Sequence, residues 1–191
     1  MMEEHTGLFK FFDGIHPISA KAIEALRKIC FELAMPKGKD LQSIGHTCRT
    51  IYYVEKGLAR TYYYKDGNDI TELFAFENSL IARAESLFTG NPSKKGIQLL
   101  EDSILIGIPS PDLFNLYDQH HDIERLFRRI FEAAYVETVN RIESLQFHTA
   151  EERYKDLLST SPNLLQRVPL KHIASYLGIT QVSLSRIRAQ I

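Results

Sequence analysis

The stretch Leu170-Lys171-His172-Ile173-Ala174-Ser175-Tyr176-Leu177-Gly178-Ile179-Thr180-Gln181-Val182-Ser183-Leu184-Ser185-Arg186-Ile187 reads as two short helices meeting at a tight corner. Leu170, Ile173, Ala174 and Leu177 fall on one face of the first helix. Gly178 ends it, because glycine enters the left-handed conformation cheaply. Ile179 fills the corner, and Thr180 is a good N-cap for a second helix running from Gln181 toward Ile191. Val182, Leu184 and Ile187 are its candidate anchors, although Val182 also suits an exposed place near the helix start. Alanine in the first helix, glycine in the turn and polar residues opening the second make a helix-turn-helix pattern. In such a unit the first helix packs closely and the second offers its first turn to a major groove. Thr180, Gln181, Val182 and Ser183 occupy that turn, and Gln181 and Ser183 can reach base edges. Arg186, one turn on, suits a two-pronged contact to guanine or a contact to phosphate, and Arg188 is a further candidate. A helical hairpin that only packs has the same outline.

Charge supports the first of these readings. From Leu157 to Ile191 the charged residues are Arg167, Lys171, Arg186 and Arg188, with no acid among them. All 24 acidic residues and the remaining 19 of the 23 basic ones precede that segment. An acidic body with a basic end piece points to two modules, the second facing a polyanion.

Upstream, Asp122 to Phe147 contains no glycine or proline, and Ile123, Phe127, Ile130, Ala134, Thr138, Ile142 and Leu145 recur at steps of three and four. A helix of that length spans about 40 Å. It can pack along its own domain, or form a two-helix seam between subunits with Thr138 and Asn140 setting register.

Between Leu41 and Pro109 the signals are those of strands and turns. Ile51 to Val54, Leu58 to Tyr64, Ile70 to Phe76, Ile97 to Leu100 and Ser103 to Ile108 are β-branched or aromatic runs. Glu55-Lys56-Gly57, Lys65-Asp66-Gly67-Asn68 and Glu101-Asp102 punctuate them as turns. Short strands at this spacing read as a sandwich or barrel. Before them, residues 17 to 33 read as a helix, with Pro17 in its first turn and Ile18, Ala22, Ala25, Leu26 and Ile29 near helical spacing, and Pro36-Lys37-Gly38 breaks the pattern.

The composition of the 191 residues, 44% hydrophobic and 25% charged with a formal charge of −1, is that of an ordinary globular chain. Cys30 and Cys48 are too few for a disulfide framework or an iron–sulfur cluster, and read as reduced core thiols. No apolar run is long enough to span a membrane. Met1 to Lys10 is acidic and polar, without the order of a secretion signal. The expected location is the cytoplasm. The seven histidines show no metal-ligand spacing and each reads as a surface or capping residue. Residues 36 to 110 contain one histidine, His46, which argues against a metal-dependent enzyme built on a cupin-like roll. No nucleophile elbow, phosphate loop or dinucleotide fingerprint is present. The chain is expected not to be an enzyme and to need no cofactor.

From about residue 17 onward the sequence resembles the Crp/Fnr family of bacterial transcription regulators, in a form shortened at the C-terminus. Met35-Pro36-Lys37-Gly38-Lys39-Asp40-Leu41, Gly45 and Ile51 to Gly57 are similar to the opening of a cyclic-nucleotide-binding-type β-roll. Asp66-Gly67 followed by Thr71-Glu72-Leu73-Phe74 resembles the next hairpin, and Gly178 to Ile187 resembles the recognition helix. The resemblance implies an α+β architecture. Residues 1–147 would be an effector-sensing β-roll with a dimerisation helix at about 121–147, and residues 148–191 a small helical DNA-binding domain. It implies a homodimer that binds double-stranded DNA, with RNA polymerase and a small anionic effector as further candidate partners. In relatives a β-wing often follows the recognition helix; here the sequence ends at Ile191.

The effector cassette departs from the family pattern. Where cyclic-nucleotide binders carry Gly-Glu and a following Arg, this chain has Ala82-Arg83, then Ser93 or Lys94. A carboxylate is the natural partner of a ribose hydroxyl, and Arg83 cannot accept that bond. Cyclic AMP is therefore not the expected ligand. The candidate pocket residues are Arg83, Glu85, Ser86, Ser93, Lys94 and Lys95, with Thr138 where some relatives contact the base from the long helix. Arg83, Lys94 and Lys95 can receive another anion, or lie in a solvated loop. The competing reading of the whole chain is a ligand- or protein-binding module of the same fold without DNA-binding activity.

Overall fold

The computed structural model describes residues 5–190; Met1 to Glu4 and Ile191, on which two of the sequence readings fall, lie outside them. Two helices, α1 (Thr6–Ile15) and α2 (Ala20–Ile29), precede the first strand. The expected helix over 17–33 is thus shorter at both ends. Ser19 caps α2 by accepting from the Ala22 amide, which leaves Pro17 outside. Phe31–Met35 is not helical but forms strand β1, because it finds an antiparallel partner in β8 (Ser103–Pro109), Phe31 opposite Gly107. That pairing is non-local, and nothing in the short run itself favours strand over helix. Helix α1 escaped the sequence reading altogether, yet Leu8 and Phe12 are wholly buried.

The remaining strands are β2 (Asp40–Gln42), β3 (Thr50–Lys56), β4 (Ala59–Lys65), β5 (Asn68–Ala75), β6 (Leu80–Ile81) and β7 (Gly96–Leu99). They form two four-stranded antiparallel sheets, β1-β8-β3-β6 and β2-β7-β4-β5. The β4–β5 hairpin turns at Asp66 (φ 51°) and Gly67 (φ 77°), the positive pair that a two-residue turn of matching twist requires. Gly57 (φ 103°) sits so close to Ser103 that an added Cβ would lie 2.9 Å from its Cα. Helix α3 (Ala84–Thr89) interrupts the path between β6 and β7, and α4 (Ser110–Tyr117) follows β8.

Strand alternation sorts the core into three layers of contact. Val54, Ala59, Ala75, Ile81, Ile97, Leu99 and Leu105 point between the sheets and fill the roll. Ile51, Tyr53, Ile106 and Ile108 point outward, against α1, α2, α4 and the start of α5 (His121–Phe147). On the other sheet, Phe74, with Leu58 and Leu100 from the adjoining turns, meets the four C-terminal helices: α6 (Ala150–Thr160), α7 (Leu164–Arg167), α8 (Leu170–Tyr176) and α9 (Gln181–Gln190). The molecule is therefore helices, sheet, sheet, helices.

Helix α5 packs on the roll at its start. Ile123, Leu126 and Phe127 are wholly buried against the roll. Beyond them Ile130 and Phe131 are half-buried against the same cluster and Arg141 packs on Tyr176, while Tyr135 is 71% and Ile142 49% exposed, with Val136, Leu145 and Phe147 also open. Phe131, Tyr135, Thr138, Ile142 and Leu145 step by four, three, four and three, the a/d spacing of a two-helix seam. Thr138 lies on that line, its hydroxyl donating back to the Ala134 carbonyl at 2.8 Å. Asn140, two residues on, is about 200° away around the helix and does not share it.

Candidate nucleic-acid interface and effector site

Helix α8 ends in a complete Schellman corner. The Ile179 amide donates to the Ala174 carbonyl (3.0 Å) and the Gly178 amide to the Ser175 carbonyl (3.1 Å), with Gly178 at φ 70°. The Leu177 carbonyl accepts from Arg153 Nε (3.1 Å) and Nη2 (2.9 Å). Thr180 then opens α9: its Oγ1 accepts from the Ser183 amide at 3.1 Å and its carbonyl from the Leu184 amide at 3.0 Å. This hydroxyl also meets Ser183 Oγ at 3.0 Å, so one of the two expected base-reading groups is engaged with the cap. Leu184 is buried and Ile187 half-buried, the anchors of the helix. Thr180, Gln181, Val182, Arg186 and Arg188 all face solvent. The corner thus holds α9 by its apolar side and leaves its first turns open.

The first helix of the pair is anchored to the roll by more than its apolar face. Arg60 of β4 is 2% exposed and grips Asp69 of β5 with both terminal nitrogens at 2.7 Å. It also donates to Thr71 Oγ1 (2.9 Å), Gln98 Oε1 (2.9 Å from Nη2) and His172 Nδ1 (2.8 Å), and lies over the Tyr62 ring. Because a guanidinium only donates, His172 must accept through Nδ1 and is the neutral tautomer protonated at Nε2. Burial, then the Arg60 charge, pushes its pKa down to about 4, against the pull of Asp69. Burial would raise Asp69, but the hydrogen bonds and charge of Arg60 hold it below its ordinary value. His172 is therefore no surface or capping residue: α8 docks it on the sheet. The Thr71 amide donates to Ser175 Oγ at 3.1 Å, Phe74 packs on Tyr176, and Arg141 of α5 also lies over the Tyr176 ring.

A second clamp lies nearby. Arg167 donates to Glu77 (2.7 and 2.9 Å), to Glu101 (2.7 and 2.8 Å) and to the Gly57 carbonyl (3.2 Å). The Arg167 hydrogen bonds pull Glu77 down to about 2. One of the four cations in the basic end piece is thus neutralised within the chain, and the outward charge of that segment rests on Lys171, Arg186 and Arg188. Sequence reasoning passed over Arg60, Asp69, Arg167, Glu77 and Glu101. The signal that was present is a lone Arg in the otherwise apolar and aromatic strand Ala59-Arg60-Thr61-Tyr62-Tyr63-Tyr64.

The candidate effector residues fall into two groups. Arg83, before α3, and Lys95, before β7, converge on the Glu72 carboxylate of β5, Arg83 Nη1 at 3.1 Å from one oxygen and Lys95 Nζ against the other. Ser86 and Ser93 are buried and tie loops: Ser86 Oγ accepts from the Cys48 amide (2.9 Å) and donates to the Asn91 carbonyl, and Ser93 Oγ bonds both polar backbone atoms of Lys95. Lys94 and Glu85 are exposed, and Thr138 is exposed on α5. Cys48 is buried and Cys30 half-buried; both are free, and burial pushes the Cys30 thiol up to about 12. Among the described residues no cluster of His, Cys, Asp or Glu could hold a metal ion, and no helix is long and apolar enough to cross a membrane.

No family model and no curated protein matches the chain. Solved structures do match it in three dimensions. A transcriptional regulator of the Crp/Fnr family from Eubacterium rectale superposes with a TM-score of 0.71 at 16% identity, over 91% of this chain and 83% of that one. The c-di-GMP-responsive global regulator CLP of Xanthomonas campestris gives 0.68 at 16%, over 90% and 91%. The chain has the fold of these regulators. FixK2 from Bradyrhizobium japonicum shares it as well, at a TM-score of 0.69 and 17% identity over 85% of this chain and 84% of that one. This Crp/Fnr-type fold agrees with the α+β architecture expected from the sequence, a β-roll followed by a long helix and a helical end piece.

Proposed function

We propose that this chain is a sequence-specific DNA-binding transcription regulator of the cytoplasm, without enzymatic activity, that acts as a homodimer. The observation that carries the proposal is the one-sided anchoring of α9: Leu184 is buried while Gln181, Val182 and Arg186 stand open on its first two turns. A helix held in this way can enter a major groove, and its amino end also favours phosphate. Residues 148–191 form the reading module and residues 1–147 the sensing module in this proposal. The exposed line Tyr135, Thr138, Ile142 and Leu145 is the seam through which two copies pair. Two reading helices related by a two-fold axis call for a palindromic site with half-sites about 34 Å apart.

The roll is not a cyclic AMP sensor in this reading, because Arg83 stands where a carboxylate would have to accept from the ribose. Calorimetry with cyclic AMP and cyclic GMP tests that part, and micromolar binding of either overturns it. The test of the whole is selection from random-sequence DNA followed by gel shift across a salt series. Recovery of a two-fold motif is the expected result. No enrichment at low salt would instead identify a module that works through protein contacts.

A further inference from the structure

The β4–β5 register slips between Thr61 and Tyr62, and Glu72 is the residue of β5 left without an opposite number. The slip frees its side chain from the cross-strand pattern. Its carboxylate receives one oxygen contact from Arg83 and the other from Lys95, residues that enter from opposite ends of the excursion between β6 and β7. All three side chains are largely withdrawn from water, at 13% exposure for Arg83, 28% for Lys95 and 35% for Glu72. Lys95 Nζ also lies over the Tyr63 ring, 5.4 Å from its centre. Arg83 Nε is buried without a hydrogen-bond partner. Two cations thus share one carboxylate, and one of them keeps an unused donor.

We propose that Glu72 is a built-in counter-ion that fills the cationic site of the roll, so that this site rejects phosphate-bearing effectors while the carboxylate is in place. An incoming phosphate must displace two charge-assisted hydrogen bonds and then lie beside the carboxylate it displaced. With the cations already half-buried, that like-charge approach is poorly screened. Remove the carboxylate charge, and Arg83 and Lys95 are left as two unpaired, partly desolvated cations, a state that recruits an external anion. Glu72 is then the residue that sets what the roll accepts, whether or not the chain binds DNA.

The test is calorimetry with inorganic phosphate and with cyclic AMP on the wild type, Glu72→Gln, and Glu72→Gln combined with Arg83→Ala. Glu72→Gln is expected to gain phosphate affinity by roughly tenfold or more over the wild type, and the added Arg83→Ala to abolish the gain. Equal affinity in wild type and Glu72→Gln, including no binding by either, overturns the proposal, as does a gain that survives Arg83→Ala. Should Glu72→Gln not fold, Glu72→Asp takes its place: it keeps the charge but loses the reach to both cations. Phosphate that raises the melting temperature of Glu72→Asp and leaves the wild type unmoved supports the proposal, and equal shifts overturn it. None of these readouts involves DNA, so failure here leaves the regulator reading standing, and the reverse also holds.

Discussion

His172 and Arg60 put a cation and a neutral imidazole in contact inside the molecule, 2.8 Å apart. An unfolded histidine titrates near 6.5, and this one is held down to about 4. Between those values the unfolded chain binds more protons, so the contribution is complete above about pH 6.5 and is lost as pH falls toward 4. The full loss is of the order of 3 kcal/mol. Glu77 acts in the same direction at lower pH, since its carboxyl is depressed to about 2 by Arg167. His172→Gln keeps an acceptor for Arg60 but cannot protonate. Urea unfolding at about pH 5 and pH 7.5 should therefore show a smaller acid loss in the variant than in the wild type; parallel losses would exclude His172 as the source. Arg186 belongs to this scale too. If it reads a base, Arg186→Ala lowers preference for the selected site by roughly 1–3 kcal/mol while sparing random DNA. An equal loss on both assigns it to phosphate.

Between α8 and α9 the corner depends on one backbone conformation. Gly178 has φ 70°, and an added Cβ would meet only Leu145 Cδ2, at 3.6 Å. The cost of Gly178→Ala is thus one of conformation rather than space, about 1–2 kcal/mol for a left-handed alanine. The melting temperature should fall, and Gly178→Asn should fall less, because asparagine tolerates that region better. A Gly178→Ala protein as stable as the wild type would mean that the corner had moved. Helix α5 shows that a periodic stripe need not be covered along its whole length. Its apolar positions continue at steps of three and four throughout, but the roll covers only the first turns, and Phe127 is the last wholly buried residue. Strand β1 shows the opposite: its five residues carry no strand signal of their own and are drafted by β8.

Taken whole, the protein has four C-terminal helices that are not loosely strung from its roll. Leu58, Phe74 and Leu100 share one buried cluster with Tyr154, Leu157, Leu164, Val168 and the α8–α9 pair. The two ion clamps, at Arg60 and Arg167, cross the same boundary. On the far half of α5 the line Tyr135, Thr138, Ile142 and Leu145, the proposed seam, is left open. Ile142→Asp places a charge on that seam, where burial against a second copy would leave it unsatisfied. Light scattering should show the wild type as a dimer and Ile142→Asp as a monomer, with the melting profile of the protomer retained and affinity for a two-fold site lost. A monomeric wild type would remove the seam from the account.

Local chemistry was enough to read several parts from sequence alone. The Gly178 corner, the Thr180 cap, the Asp66-Gly67 hairpin and strands β3, β4, β5, β7 and β8 each depend on residues within a few positions of one another. So does the length of α5, since nothing in it stops a helix. The exposed start of α9 was legible for the same reason. Tertiary structure decided the rest: that α1 exists to cover a sheet, that Phe31–Met35 is a strand, that Arg167 is spent on Glu77 and Glu101 rather than facing a polyanion, and that Arg83 and Lys95 meet on Glu72. Each of those pairs residues distant in sequence. A charge or an apolar side chain does not carry its partner's address; the fold supplies it by bringing opposite charges and unpaired strand edges within reach in a place where water is scarce.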